Sequence, residues 1–228
     1  MTATPTLIAC SHGTRFAEGR DAVHALIEQV RGLLPGVSVA EAFVDVQDPS
    51  IDDVVAATDG PAVIVPLLLS AGFHTGVDIA RAAATRADVT ATAPLGPHPL
   101  LAEVLSERLA ESGLADGDHV VLAAAGSSRP EAATDVEAMR DLLAALLHRP
   151  VTVGYAAGAD PRIPAAVDAA RAAGAPRVVA ASYVLAPGYF ANLVADAGAD
   201  VVTAPLAPDL RVAQVIAERY REGVSALA

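Results

Sequence analysis

The chain has no tryptophan and no lysine, a single cysteine, and only 4% aromatic residues in 228 positions. With Cys10 alone, no disulfide can form within the chain, and a reducing cytoplasm is the expected compartment. The absence of lysine leaves all 15 cationic side chains as arginine. Together with the abundant alanine, this reflects genomic base composition rather than a function. No apolar run reaches the roughly 18 residues of a membrane span. The N-terminus lacks the basic stretch and apolar run of a secretory signal, so neither membrane insertion nor export is expected. Positive charge is scarce as well: 27 acidic residues against 15 arginines give a net charge of −12. Such a field disfavours nucleic acid and anionic membranes as partners. An anionic small ligand would need a local arginine cluster.

What the chain does have is apolar mass and a long internal repeat. At 53% apolar residues, the length suffices for one large domain or two small ones with a sizeable core. The strand Leu7-Ile8-Ala9-Cys10 runs into Ser11-His12-Gly13-Thr14-Arg15, and Val120-Val121-Leu122-Ala123-Ala124 runs into Ala125-Gly126-Ser127-Ser128-Arg129. Leu69-Ser70-Ala71-Gly72-Phe73-His74 is matched by Leu185-Ala186-Pro187-Gly188-Tyr189-Phe190. A repeat this long marks a duplicated domain rather than a solenoid, whose units run to roughly 20–50 residues. Expected strands lie near 6–10, 37–43, 62–69 and 88–93, then 119–124, 151–156, 177–184 and 200–204. Between them run helical stripes such as Val23, Leu26, Ile27, Val30, Leu33 and Leu34, with Val136, Met139, Leu142, Leu143, Leu146 and Leu147 as the counterpart. Leu101, Val104, Leu105 and Leu109 likewise match Leu210, Ala213, Ile216 and Tyr220. Short, almost wholly apolar strands alternating with helices predict α/β architecture: two duplicated, doubly wound parallel-sheet lobes with a cleft between them. The lobes are expected at 1–115 and 116–228, joined by the polar linker 112–118.

In such sheets ligands bind beyond the carboxyl ends of the strands. His12, His74 and Asp45 all follow strands and map to that edge of the first lobe. In the second copy His12 becomes Ala125 and His74 becomes Phe190, so the first lobe is the expected catalytic one and the second non-catalytic. Neutral imidazole ligates first-row divalent metals and acts as a base near neutral pH. Two histidines with Asp45 leave coordination positions open, whereas structural zinc sites are closed by four protein ligands. The competing reading makes each histidine a packed or capping residue. Asp48 and Asp78 suit helix starts. Ser127 and Ser128 suit capping, Cys10 a small buried residue, and His98 at most an outer contact.

These motifs resemble the sirohydrochlorin chelatase family, the class II tetrapyrrole chelatases in their two-half form. The similarity rests on the strand-His-Gly-Thr-Arg start at 11–15, Ala42-Phe43-Val44-Asp45 with Pro49 downstream, Pro-Leu-Leu-Leu-Ser-Ala-Gly-Phe-His at 66–74, and Pro94-Leu95-Gly96. The resemblance implies a cytoplasmic lyase that inserts Fe²⁺ or Co²⁺ into sirohydrochlorin for siroheme or cobalamin biosynthesis. The metal is then a substrate, and no tightly bound cofactor is implied. His12 and His74 would be the catalytic histidines and metal ligands. Asp45 would join them, one methylene shorter than the family's usual glutamate. Gly13, Thr14, Arg15, Ser70, Gly72, Phe73 and Arg129 would line the substrate site, with Arg20 and Arg81 as further carboxylate partners. Which histidine ligates and which accepts protons stays open. A monomer is the simplest assembly. Two rivals remain: a tetrapyrrole or metal carrier or sensor without turnover, and a histidine phosphatase, disfavoured because Ser11 stands where arginine is wanted before the histidine. Arg15→Ala is expected to raise KM for the macrocycle more than it lowers kcat. Steady-state kinetics check this, and an unchanged KM would remove Arg15 from the substrate site.

Overall fold

The computed structural model describes residues 4–72 and 74–227; Phe73 and the side chains of residues 74–76 lie outside the described part. The chain divides into two compact units, Met1–Leu95 with Pro208–Ala228, and Gly96–Ala207.

The first unit holds β1 (Thr6–Ser11), α1 (Ala17–Leu33), β2 (Val39–Phe43), α2 (Ile51–Ala57) and β3 (Ala62–Pro66). A π-helical turn (His74–Ile79) continues into α3 (Ala80–Ala84), followed by β4 (Val89–Ala91). The strands form a parallel sheet in the order β2-β1-β3-β4. Ala62, Val63, Ile64 and Val65 are fully buried, as a strand covered on both faces requires. Ile8, Cys10 and Ile64 point to one face, where they pack with Ile51, Val54 and Val55 of α2 and Ala82 and Ala83 of α3.

The second unit repeats this plan. It contains α4 (Pro99–Glu111), β5 (His119–Ala124), α5 (Pro130–Leu147), β6 (Val151–Tyr155), α6 (Ile163–Ala172), β7 (Val178–Tyr183), α7 (Tyr189–Ala195) and β8 (Val201–Val202). Its parallel sheet has the order β6-β5-β7-β8. Val121, Ala123 and Ala180 face Ile163, Ala166 and Val167 of α6.

The α/β class and the two parallel sheets match the sequence reading, but the compact units do not follow the 1–115 and 116–228 division. Helix α4, which closes the first copy of the repeat, packs on α5 and β7, and α8 (Leu210–Leu227) packs on α1, β3 and β4. Each copy ends in a helix that completes the other unit. The expected apolar stripes also fray at their tips: Leu146 and Leu210 are exposed.

Strand order 2-1-3-4 reverses direction of progression between β1 and β3, and in sheets of this kind ligands bind beyond the strand ends at such a switch point. The segment after β1 carries His12, and the segment after β3 leads to Ser70, Gly72 and the π-helical turn that begins at His74. Local π-helix often marks functional positions.

Helix α8 reaches the sheet closely because it presents Gly223. A Cβ there would collide with Val63 Cγ1 and stand 2.9 Å from Thr92 Cγ2. Tyr220, one turn earlier, donates from its hydroxyl to the Pro5 carbonyl at 2.6 Å. Gly223→Ala is therefore expected to destabilise the fold by about 1–3 kcal/mol through overpacking, despite the roughly 1 kcal/mol helix-propensity gain of alanine. Denaturant titration checks this; a more stable variant would refute the close packing.

Candidate active site

The geometry at the exit of β1 is set by two loops bonded to each other. The Val44 N–H donates to the Ser11 carbonyl (3.1 Å), and the Asp45 N–H donates to the His12 carbonyl (3.2 Å). The Thr14 N–H donates to Gln47 Oε1 at 2.7 Å. Between these bonds lies Gly13 at φ +90°, where a Cβ would collide with the Asp45 carbonyl oxygen. Glycine is thus required twice, by the dihedral and by the approach of the loop. The result is a fixed take-off for the half-buried His12.

Asp45 follows the end of β2 and is exposed. Its Oδ1 accepts from the Val46 N–H at 2.8 Å, so one carboxylate oxygen braces its own loop. The structure therefore joins His12 and Asp45 through the backbone of adjacent loops. His74 starts the π-helical turn, but its side chain lies outside the described residues, and so does Phe73. Among the described residues no three His, Cys, Asp or Glu side chains gather as metal ligands. A recess of about 340 Å³ lies beside the loop, lined in part by Arg20, His24, Glu41, Phe43 and Gln47; it shares Gln47 with the turn but does not include His12.

The expected arginines divide. The Arg81 guanidinium is held by Asp52 of α2 through two bonds of 2.9 and 2.8 Å, so it faces a carboxylate of its own chain. Arg20 Nη1 donates to the Arg15 carbonyl at 3.0 Å. The exposed Arg15 side chain has no ion pair among the described residues. Arg129 is the residue before α5, and its N–H donates to Ser127 Oγ at 3.2 Å. Thr14 makes the equivalent bond in the first copy, its Oγ1 accepting from the Phe16 N–H at 3.2 Å. Ser70 and Gly72 are half-buried in the segment after β3.

Three bland readings are refined. His98 caps α4, its Nδ1 accepting from the Leu100 N–H at 3.2 Å, which gives it a structural role at the helix start. The cap of α2 is Ser50 rather than Asp48, its Oγ accepting from the Asp53 N–H at 3.2 Å. Ser127 bonds the chain just ahead of α5, as its helix-start position suggested. Two residues of the loop escaped the sequence reading: Val46 and Gln47. The repeat held the signal, because Val46 aligns with Gly158 and Gln47 with Ala159 when Gly13 is set on Gly126 and the following loops are matched.

The chain thus builds two four-stranded parallel α/β sheets with the strand-end turn duplicated and a histidine in one copy only. A structure of SirB from Bacillus subtilis with Fe³⁺ matches 97% of this chain and 96% of its own, with a TM-score of 0.81 at 20% identity. A second structure of that chelatase, from the subspecies spizizenii and in complex with cobalt, matches with a TM-score of 0.76 at 18% identity, over 98% and 96% of the two chains. At these identities the likeness is one of fold. The CbiX family model matches residues 6–112 and again 119–223, and the chain belongs to the CbiX family. A Halobacterium salinarum protein named probable sirohydrochlorin cobaltochelatase is 32% identical over 131 residues. That match covers 50% of this chain and 44% of the relative, so the chain spans less than half of the relative's length.

Cys10 lies one residue inside the strand from the turn and is fully buried. Burial, reinforced by the nearby Asp78 charge, pushes its thiol up to about 12. The thiolate is the reactive form. Cys10 is therefore expected to resist iodoacetamide in the folded protein at pH 8 and to react fully in denaturant. Mass spectrometry checks this, and labelling of the native protein at the rate of a free thiol would refute the buried placement.

Proposed function

We propose that the protein is a sirohydrochlorin chelatase, inserting Fe²⁺ or Co²⁺ into sirohydrochlorin on the route to siroheme or cobalamin. It works in the cytoplasm, as a monomer, with the metal ion as a substrate. The observation that carries this reading is a strand-end histidine at the β1/β3 switch point in a chain that matches the CbiX family in both copies. The name of the Halobacterium salinarum relative and the metals in the SirB structures support it. Among the described residues no helix is long and apolar enough to cross a membrane.

The reaction breaks two pyrrole N–H bonds and replaces them with bonds from the ring nitrogens to the metal, releasing two protons. His12 and His74 are assigned to hold the ion and to take up those protons. Asp45 is assigned as the third ligand: Oδ1 is engaged by the Val46 N–H, which leaves Oδ2 for the ion. Gly13, Thr14, Arg15, Ser70, Gly72, Phe73 and Arg129 are assigned to the macrocycle, with the arginines meeting its carboxylates. The copy of the repeat bearing His12 and His74, within 1–115, is the catalytic part, and the copy bearing Ala125 and Phe190, within 116–228, is non-catalytic.

The test is anaerobic mixing of protein, sirohydrochlorin and Fe²⁺ or Co²⁺, followed by loss of the metal-free absorption spectrum. The wild type is expected to exceed the uncatalysed rate. Each single change, His12→Ala or His74→Ala, is expected to lower kcat by about 10²–10⁴-fold, the usual scale of a lost acid–base group. A wild type no faster than the His12→Ala/His74→Ala double variant would overturn the proposal.

A further inference from the structure

The loop after β2 contains a strained residue that the proposed chemistry leaves unexplained. The Gln47 N–H donates to the Asp45 carbonyl at 2.7 Å, closing a three-residue turn around Val46 at φ +65°. This is the positive-φ γ-turn, which is rare and strained, and a β-branched residue is a poor occupant of left-handed backbone. The only other non-glycine residue at positive φ among those described is His148, at +53°. It ends α5 in the left-handed cap position and so has an ordinary reason.

The second copy shows the strain-free solution. The Ala156 and Ala157 N–H groups donate to the Ala124 and Ala125 carbonyls (2.8 and 2.9 Å), and the Ala159 N–H donates to the Ala157 carbonyl (2.9 Å). The same turn is therefore built there around Gly158 at φ +69°. The first copy keeps valine in that place, and holds it with two bonds that have no counterpart at Ala157 and Ala159: Asp45 Oδ1 on the Val46 N–H, and Gln47 Oε1 on the Thr14 N–H. The valine is not retained for the core, since it is 40% exposed. Its Cβ stands 3.3 Å from the point where a Cβ on Gly13 would be, next to the backbone of His12. Phe16, also 40% exposed, stands on the loop that follows β1. An over-determined strain of this kind is kept where it serves a site.

We propose that Val46 is a substrate-contacting residue: an aliphatic side chain held out beside His12 to meet the apolar face of a flat, conjugated ligand. Taking that ligand as sirohydrochlorin rests on the chelatase reading. Val46 makes apolar contact and no covalent or proton-transfer step. Gln47 is the positioning residue that keeps the turn closed.

The experiment compares Val46→Gly and Val46→Asn with the wild type. Both residues accept left-handed backbone, and asparagine keeps the loop stiffer while removing the aliphatic surface. Sirohydrochlorin binding is titrated anaerobically by absorbance without metal, turnover is followed with Co²⁺, and thermal unfolding is recorded. Both variants are expected to hold or raise the unfolding midpoint. They should weaken Kd and KM by about five- to tenfold, the scale of one aliphatic contact, with kcat near the wild type at saturation. Kd and KM within twofold of the wild type, or a midpoint lowered by Val46→Gly, would overturn the assignment. If the wild type binds sirohydrochlorin without turnover, the chelatase reading falls and the Kd comparison still decides Val46. A wild type that does not bind the macrocycle overturns both.

Discussion

The site depends on one steric constraint: the chain leaving the first strand of each sheet runs directly under the carbonyl of the loop that follows the second. At Gly13 that carbonyl belongs to Asp45, and at Gly126 it belongs to Ala157; in neither place is there room for a Cβ. Because the amides on either side also bond across, the two loops form one rigid piece in each copy. The residue just before the glycine then inherits a fixed direction whatever its side chain. This is why Ala125 can stand where the first copy has His12 without disturbing the turn. The scaffold sets the position and the side chain sets the chemistry, so a duplicated unit can keep its backbone and lose its histidines.

Much of this was legible in the chain. The strand at His119–Ala124 falls on its expected span, and β1, β6 and β7 differ from theirs by a residue or two, because short β-branched runs bounded by glycine or proline leave little choice of register. The segment expected at 62–69 ends as strand at Pro66, since its last residues turn toward the π-helical segment. The strand-end location of His12 and Asp45 followed from the same pattern. The exchange of α4 and α8 was not legible: both helices carry an apolar stripe that fits either sheet, and the choice lies in contacts between distant segments such as Gly223 against Val63. The turn at Val46 was hidden for the opposite reason. Valine's own preference argues for extended backbone, and only the bonds from Asp45 and Gln47 hold it elsewhere. Local propensity fails where tertiary bonds override it, and that is where functional strain is expected.

The arginines show how an acidic chain separates stability from binding. At the amino ends of the strands they tie loops to strands through carboxylates. Arg86 holds Asp88 and also donates to the carbonyls of Val55, Thr58 and Gly60. In the second unit Arg177 clasps Asp118 and the Gly113 carbonyl, fastening the linker to the start of β7. Arg171 joins Asp200, whose carboxylate also accepts from the Val178 N–H at 2.7 Å. The hydrogen bonds from Arg86 and Arg177 hold Asp88 and Asp118 below the usual carboxylate value, and the Val178 amide, with Arg171, does so for Asp200. A depressed carboxylate favours the fold while ionised, so these ties act above the ordinary aspartate range near 3.8 and loosen as acid protonates them.

At the carboxyl ends of the first sheet the arrangement is reversed. Arg15 is exposed without an ion pair among the described residues, Asp45 leans on its own backbone, and Val46 is held out in a strained turn. An arginine already matched to an aspartate, as Arg81 is to Asp52, would have to give up that partner before it could meet a ligand's carboxylate. An exposed pair of that kind is weak, so giving it up costs little. The unpaired guanidinium of Arg15 needs no such exchange. In a chain with a net charge of −12, an anionic ligand gains most from a cation that no internal carboxylate has neutralised, and at this edge Arg15, on the loop that carries His12, and Arg20, which donates to a backbone carbonyl, have no ion pair among the described residues. The same loop thus brings together an imidazole, an uncompensated charge and, through Gly13, the exposed side chain of Val46.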